Sequence, residues 1–374
     1  MARASSKMDQ LSDLLRESKI DHVLLTSLES LRYFGGHTTV IETGPSPFSP
    51  LPGALAWIKG EEPVLFLVDS ESSEDVASGI ACRNFPGYTY QSPLRALEDL
   101  ANLLASKFTS LPQSTVAVEM GSLPAFIFEK LSSGCPQLDF QDVTTRLIEL
   151  RSIKDDDEVE AIRSALALCD LGQARVKQLV APGLTELEVF NEMRKTIESK
   201  AGGRVPLLAD LVSGSRTAAV GGNPDSSKLQ MGDLVIADLV PRYNGYWGDT
   251  CNTCAVEGAS AEQRRMFQGV KTALDDAIDR VKPGIRACEL DSHLRQRIAK
   301  LGGAYPHHSG HGLGVTFHEE PRIVPYNQTM LRAGMVIALE PGIYIEGKWG
   351  LRLEHTILVT GAGAEVLSKF DHTL

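Results

Sequence analysis

Long apolar runs are missing from this chain of 374 residues, and no stretch approaches the roughly 18 apolar residues needed to span a bilayer. That absence excludes a membrane-spanning helix. An excess of positive charge is missing too. The formal net charge is −11 and the pI is near 5.4, which argues against nucleic acid or an anionic membrane as a main partner. Cysteine is scarce: Cys82, Cys135, Cys169, Cys251, Cys254 and Cys288 are mostly far apart. The one close pair, Cys251-Asn-Thr-Cys254, lacks a second CxxC or a nearby histidine pair. It reads as two reduced strand cysteines rather than a zinc site. The opening, MARASSKMDQLSDLLRES, is polar and then amphipathic, without the apolar core of a signal peptide. A cytoplasmic location is the expectation.

Apolar residues are plentiful, at 43% of the chain, so a large core is available. The length suggests two domains, since single cores usually stop growing near about 250–300 residues. From the start, Asp9–Ser18 reads as a helix, His22–Thr26 as a strand and Ser27–Tyr33 as a helical turn. Ala54–Ile58 and Pro63–Val68 look like strands, Leu94–Lys107 like a helix and Thr115–Glu119 like a strand. This alternation predicts an α/β domain over residues 1–149. The charged run Arg151-Ser-Ile-Lys154-Asp-Asp-Asp-Glu158 opens a long amphipathic helix reaching about Gln178, and a second domain over 150–374 is placed to begin there.

That second part contains an echo. Val180-Ala-Pro-Gly-Leu-Thr-Glu-Leu-Glu188 resembles Val281-Lys-Pro-Gly-Ile-Arg-Ala-Cys-Glu289 at an offset of 101. Each copy follows a helix and precedes another that ends in Gly-Gly. Thr185 with Glu188, and Ser260 with Gln263, have capping-box spacing. Duplicated helix–helix–strand halves predict a pseudo-twofold α+β domain with its site between the halves.

Five side chains in this part could form one metal cage: Asp238, Asp249, His311, Glu340 and Glu354. Met231–Asp238 reads as a strand ending in an acid, and Asn244-Gly245 is a strong hairpin signal. With that dipeptide as the turn, Asp238 falls opposite Cys251, and Asp249 becomes a diagonal neighbour on the same face. A second hairpin centred on Gly347 would set Glu340 opposite Glu354, inside two apolar strands where acids are costly unless paired or metal-bound. Arg352 is two residues from Glu354 and so on its face, where it could pair with it instead. Four histidines at 307, 308, 311 and 318 lie among glycines that let backbone approach a ligand. His311 reads as a ligand, His307 and His318 as substrate or proton-handling groups, and His308 as exposed. Four carboxylates would balance two divalent ions, and oxygen-rich sets with one nitrogen suit Mn²⁺, Co²⁺, Fe²⁺ or Zn²⁺.

From about residue 150 to 374 the pattern resembles the pita-bread metallopeptidases. The resemblance rests on the Asp238/Asp249 pair, Gly310-His-Gly-Leu-Gly314 followed by His318-Glu319, the Glu340-Pro-Gly-Ile-Tyr344 turn, and Arg352-Leu-Glu354. The Arg151-Ser-Ile-Lys154 opening and a smaller N-terminal domain point to the prolidase, aminopeptidase P and creatinase branch. The resemblance implies a pita-bread fold behind a creatinase-like N-terminal domain, a homodimer and a dinuclear hydrolase acting on Xaa-Pro peptides. Asp238 and Asp249 would hold one ion, and His311 and Glu340 the other, with Asp249 and Glu354 bridging; manganese is the first expectation. A water between the ions would attack a carbonyl carbon, with Glu340 taking its proton and His318 meeting the oxyanion. Arg352, Tyr344, Trp247 and Gly221 are the expected substrate or supporting residues.

Three departures stand out. The histidine that Xaa-Pro members carry after the Ser-Gly of Val212–Gly222 is missing, its place being Gly221 or a neighbour. The usual Asp-x-Thr-Arg-Thr is Asp249-Thr-Cys-Asn-Thr253, and Trp247 adds an aromatic ring before Asp249. These changes favour, as an alternative, a non-peptide hydrolase or lyase acting on a small metabolite with the same cage.

Overall fold

The computed structural model describes residues 7–39 and 53–374; the polar opening at residues 1–6 lies outside them. The chain divides into two compact units, Met1–Arg151 and Ser152–Leu374. Among the described residues no helix is long and apolar enough to cross a membrane.

The first unit runs α1 (Lys7–Ser18), β1 (His22–Leu25), α2 (Leu28–Tyr33), β2 (Gly53–Ile58), β3 (Val64–Val68), β4 (Ala81–Phe85), α3 (Ala96–Phe108), β5 (Ser114–Val118), α4 (Ala125–Gly134), β6 (Leu138–Asp142) and α5 (Thr144–Ser152). The strands form one six-stranded sheet in the order β4-β3-β2-β1-β5-β6. Its central strands are apolar without alternation because both faces are buried, as in β1 and β3. Leu100, Leu104 and Phe108 of α3 and Ile127 and Leu131 of α4 close one core over it, each such side chain contributing about 1.5–3 kcal/mol by leaving water. At the end of β5 the buried Glu119 accepts from Ser27 Oγ at 2.8 Å and Ser30 Oγ at 2.9 Å. The Arg151 guanidinium lies 3.6 Å from the same carboxylate, which gives one of the charges at the end of α5 a buried partner.

The second unit opens on α6 (Asp156–Leu179), and its acidic start has a local cause. Asp155 caps the helix, accepting from Glu158 N at 2.9 Å while Glu158 accepts from Asp155 N at 3.2 Å. There follow α7 (Glu186–Ala201), β7 (Leu207–Ser213), a 3-10 turn (Gly214–Ala219), β8 (Leu234–Tyr243), β9 (Tyr246–Trp247), β10 (Thr250–Ala255), α8 (Ala261–Ile278) and α9 (Ala287–Ala299). The unit ends with β11 (Gly310–Gly312), β12 (Glu319–Ile323), β13 (Val336–Leu339), β14 (Gly342–Ile345), β15 (Trp349–Arg352), β16 (His355–Val359) and β17 (Ala364–Val366).

The echo in the sequence is an echo in hydrogen bonding. Gly183 N and Leu229 N bond to Leu229 O and Leu184 O at 2.9 and 2.8 Å, and Gly284 N and Leu331 N repeat the pattern with Leu331 O and Ile285 O. Thr185 and Ser260 make the expected capping boxes. Two sheets result, β10-β8-β7 with β9 on β8 in one half and β12-β11-β13-β16-β17 in the other, with the β14–β15 ribbon between β13 and β16 in sequence. The helices cover these sheets through two apolar cores, one from Val176, Val189, Met193 and Ile197 against Leu211, Val235 and Leu239, the other from Val270, Leu274, Leu290 and Leu294 against Ile337 and Ile357. Mixed α/β content of this kind, with paired helix–helix–strand halves, is the pita-bread arrangement.

Candidate metal centre

The first acid pair is set by a turn. Asn244 and Gly245 both have positive φ, 51° and 80°, as a two-residue I′ hairpin requires. The turn places Trp247 against Arg242 and Cys251 against Asp238. Asp249 then lies on the face of Asp238. Gly248 allows this because the chain passes α6 too closely for a side chain: a Cβ there would lie 2.9 Å from the Ala165 backbone and 3.0 Å from Cys169 Sγ.

The second pair has the expected register but not the expected setting. Gly347, with φ of 69°, turns the β14–β15 ribbon, in which Gly342 faces Arg352. β13 and β16 continue the same register, with Leu339 facing His355. Glu340 and Glu354 therefore oppose one another, yet they sit where the ladder breaks rather than inside continuous strands. Their amides bond elsewhere: Glu340 N to Ser309 O at 3.1 Å and Glu354 N to Cys251 O at 2.9 Å. The second bond ties the glutamate strand to the aspartate hairpin. His311 arrives on β11, squeezed between β12 and β13. Glycines make that possible, since a Cβ at Gly310 would lie 2.0 Å from Ala338 O and one at Gly312 2.4 Å from Glu320 O.

These elements bring all five side chains together. Ligand atoms of Asp238, Asp249 and Glu354 lie within 4.8 Å of one another, as do those of His311, Glu340 and Glu354, and of Asp249, His311 and His318. Nδ1 of His311 bonds to Gly312 O at 2.9 Å; as the donor there it leaves Nε2 as a lone pair facing Asp249 at 3.5 Å and Glu340 at 3.7 Å. Asp249, His311 and Glu354 are almost wholly buried. Burial pushes the carboxyls of Asp249 and Glu354 well above the ordinary range, and the neighbouring carboxylates push them further. Asp238 is raised to about 6, by burial first, against the pull of Arg352. Glu340 differs. Burial raises it, but His308, His311 and His307 beside it bring it down to about 2. Among the described residues Glu354 Oε1 is buried without a hydrogen bond, a costly state for a carboxylate oxygen. Carboxylates crowded around one imidazole, with one oxygen unpartnered, fit divalent cations.

Around the cage lies an open cavity of about 610 Å³, walled on its apolar side by Phe190, Leu207, Val240 and Phe317. Arg352 is buried against Asp238, with Nη2 at 2.6 Å and Nε at 3.1 Å. It does not pair with Glu354. Its Nη1 donates to Tyr344 Oη at 3.2 Å, and Tyr344 Oη meets His307 Nε2 at 2.9 Å. His307 Nδ1 is 2.7 Å from His308 O, so it is the donor and Nε2 accepts. Burial lowers His307 to about 4 and His318 to about 3, so both rings are neutral near pH 7. His318 stacks on His311 at 3.8 Å between centroids and lines the cavity.

Several placements differ from expectation. His308 is not a solvated bystander: it lines the cavity, and Nδ1 comes within 3.1 Å of Glu340 Oε1. Trp247 is buried behind the wall, edge-on to Phe317 at 5.4 Å between centroids. Cys251 and Asn252 are buried away from the cavity lining, Cys251 among Val212, Ile236 and Tyr344, and Asn252 Oδ1 on His372 Nδ1 at 3.0 Å. Tyr344 supports His307 and Arg352 from outside the lining. The space beside Gly221 is taken by a residue that sequence reasoning missed: a Cβ at Gly221 would lie 1.9 Å from Asp210 Oδ2. Asp210 faces Asp238 across the β7–β8 ladder, a register that only the paired strands reveal.

A buried acidic cage with one imidazole, between two halves of a duplicated α+β unit, defines a metallohydrolase. Residues 160–361 match the model of metallopeptidase family M24, and residues 7–153 match the creatinase/prolidase N-terminal domain. The Xaa-Pro dipeptidase of Pyrococcus furiosus is 30% identical over 370 residues, covering 98% of this chain and 99% of that protein. The crystal structure of the prolidase from Pyrococcus horikoshii superposes with a TM-score of 0.84 at 27% identity, over 98% of this chain and 99% of that one. An Xaa-Pro dipeptidase structure from Bacillus anthracis gives 0.85 at 25% identity, over 100% and 99%. The chain belongs to metallopeptidase family M24. It is a hydrolase of the pita-bread fold that depends on divalent metal ions.

Proposed function

We propose that this chain is a dinuclear Xaa-Pro dipeptidase, with Asp238, Asp249, His311, Glu340 and Glu354 as the metal ligands. The observation that carries the reading is the convergence of these five side chains on overlapping ligand groups, with a Glu354 oxygen buried and unpartnered. Residues 150–374 form the catalytic domain and 1–149 the creatinase-like N-terminal domain, in a cytoplasmic homodimer with manganese as the working metal. The similarity to the Xaa-Pro dipeptidases of two Pyrococcus species supports the substrate class.

When bound, two divalent ions supply Lewis acidity and lower the pKa of a water that can attack an amide carbonyl. The residues of the chain do the rest. Glu340, paired with His308, takes the proton. His318, neutral and at the cavity wall, donates a hydrogen bond to the developing oxyanion. The chain of bonds from Arg352 through Tyr344 to His307 fixes the His307 ring beside the reacting group. Phe317, Phe190 and Leu207 keep one side of the substrate out of water.

The test is metal content together with hydrolysis of Xaa-Pro dipeptides, with and without chelator, using E340A as control. Two bound ions with no Xaa-Pro turnover would reject the dipeptidase and favour the second reading, a hydrolase or lyase acting on a small non-peptide substrate. One observation favours that alternative: the cavity holds the Asp210 carboxylate beside Gly221, at or next to the position where the resemblance to Xaa-Pro members implies a histidine. A screen of N-acylated amino acids, cyclic amidines and guanidino compounds, read by mass spectrometry, separates the two.

A further inference from the structure

Arg352 presents a problem for the cage. Its guanidinium is buried directly against Asp238, so its positive charge opposes any cation held there. The bonding of the guanidinium shows how that opposition is met. Nε and Nη2 donate to Asp238, and Nη1 to Val220 O and Tyr344 Oη. Nη2 also donates to Asp210 Oδ2 at 3.1 Å. Asp210 is itself fixed by Gly222 N, which donates to Oδ1 at 3.0 Å. Its side chain is about a third exposed, against 4% for Arg352. Asp210 and Asp238 thus share one nitrogen of one arginine.

We propose that Asp210 is a positioning residue for the metal centre: it balances Arg352, so that the arginine's positive charge does not oppose the divalent ions that the four cage carboxylates would hold. Gly221 belongs to the same device. The Asp210 carboxylate fills the volume that a side chain at 221 would need, so the bare backbone there is what lets Asp210 reach Arg352. The inference rests on the metal-centre reading but not on the substrate. Partners that orient a ligand from behind typically change metal affinity about 10–100-fold when removed.

The experiment is calorimetric titration of Mn²⁺ into the chelator-stripped full chain. D210N removes the charge and keeps the shape; G221A keeps the charge and displaces the carboxylate. Each is expected to weaken at least one site about 10–100-fold. The double variant should weaken it no further than either single one, because both break one contact. Metal-free melting temperatures of the three variants should match the wild type, since Arg352 retains Asp238, Val220 and Tyr344. This separates charge compensation from a merely structural role, and G221A carries the test if D210N does not fold. Wild-type binding with D210N and G221A unchanged, or with additive losses in the double variant, overturns the inference and leaves the proposed function standing. Absence of any Mn²⁺ binding by the wild type overturns both.

Discussion

Thr253 Oγ1 accepts from Arg352 N at 3.1 Å and donates to Arg352 O at 2.9 Å, so one buried hydroxyl satisfies both backbone groups of a residue that touches the cage. With the Glu354 N to Cys251 O bond and the Thr356 Oγ1 to Asp249 O bond at 2.6 Å, it joins the aspartate hairpin to the glutamate strand.

Replacement of Thr253 by valine keeps the shape and removes both bonds. Leaving the buried Arg352 amide unpaired should cost about 1–3 kcal/mol, while its carbonyl keeps the weaker bond from Cys251 Sγ at 3.6 Å. The expected result is a lower denaturant midpoint at unchanged slope, together with weaker Mn²⁺ binding. An unchanged midpoint would show that the two elements are held together elsewhere.

The cage should make stability depend on pH without metal and largely remove that dependence with metal. Asp249, Glu354 and Asp238 have raised pKa values in the folded, metal-free chain. Above the ordinary carboxylate range, these groups hold protons in the folded state that the unfolded chain has released, and their contribution to stability falls as pH rises. The buried histidines, lowered in the folded chain, act in the opposite direction below about pH 6.5. Metal-free protein should therefore melt at progressively lower temperature as the pH climbs above about 7, where histidine is neutral in both states. Saturating Mn²⁺ should remove that slope, so the stabilisation by metal grows with pH. Parallel melting curves across pH, with and without metal, would reject the account.

Lys154 and Glu319 form a buried pair at 2.7 Å, 1% and 8% exposed. Glu319 follows His318 and accepts from Thr316 N at 3.2 Å, so it shapes the loop that carries His318. K154M should cost about 3–5 kcal/mol by leaving the Glu319 carboxylate buried without its cation, and K154M/E319Q should recover much of that loss. Chemical denaturation of the two variants decides it.

His318 lies close enough to Asp249 and His311 to be grouped with them, yet its proposed work is on the substrate. H318A should then lower kcat about 10²–10³-fold while metal content stays at two ions per chain. Loss of one ion would move His318 into the ligand set.

Both hairpin registers were legible in the sequence, and for a physical reason. A two-residue turn that needs two positive φ values, or a glycine midway between apolar strands, determines which residues face each other along the whole ladder. Asp238 against Cys251, and Glu340 in line with Glu354, follow by counting. The break at the glutamates did not follow, because it depends on Ser309 and Cys251 carbonyls far away in the chain. Asp210 was hidden for a similar reason: β7 meets β8 through a long connection with no tight turn, so its register with Asp238 cannot be counted. Trp247 illustrates a third limit. Its position beside Asp249 was plain, but the ring that reaches the cavity belongs to Phe317, and Trp247 stands behind it.

Gly221 and Asp210 also constrain how this chain could diverge. Any side chain at 221 would displace the carboxylate that holds Arg352, and loss of Asp210 alone would leave an unfilled space beside a bare glycine. The two positions are therefore expected to be coupled, so that a side chain at 221 finds room only together with a change at 210.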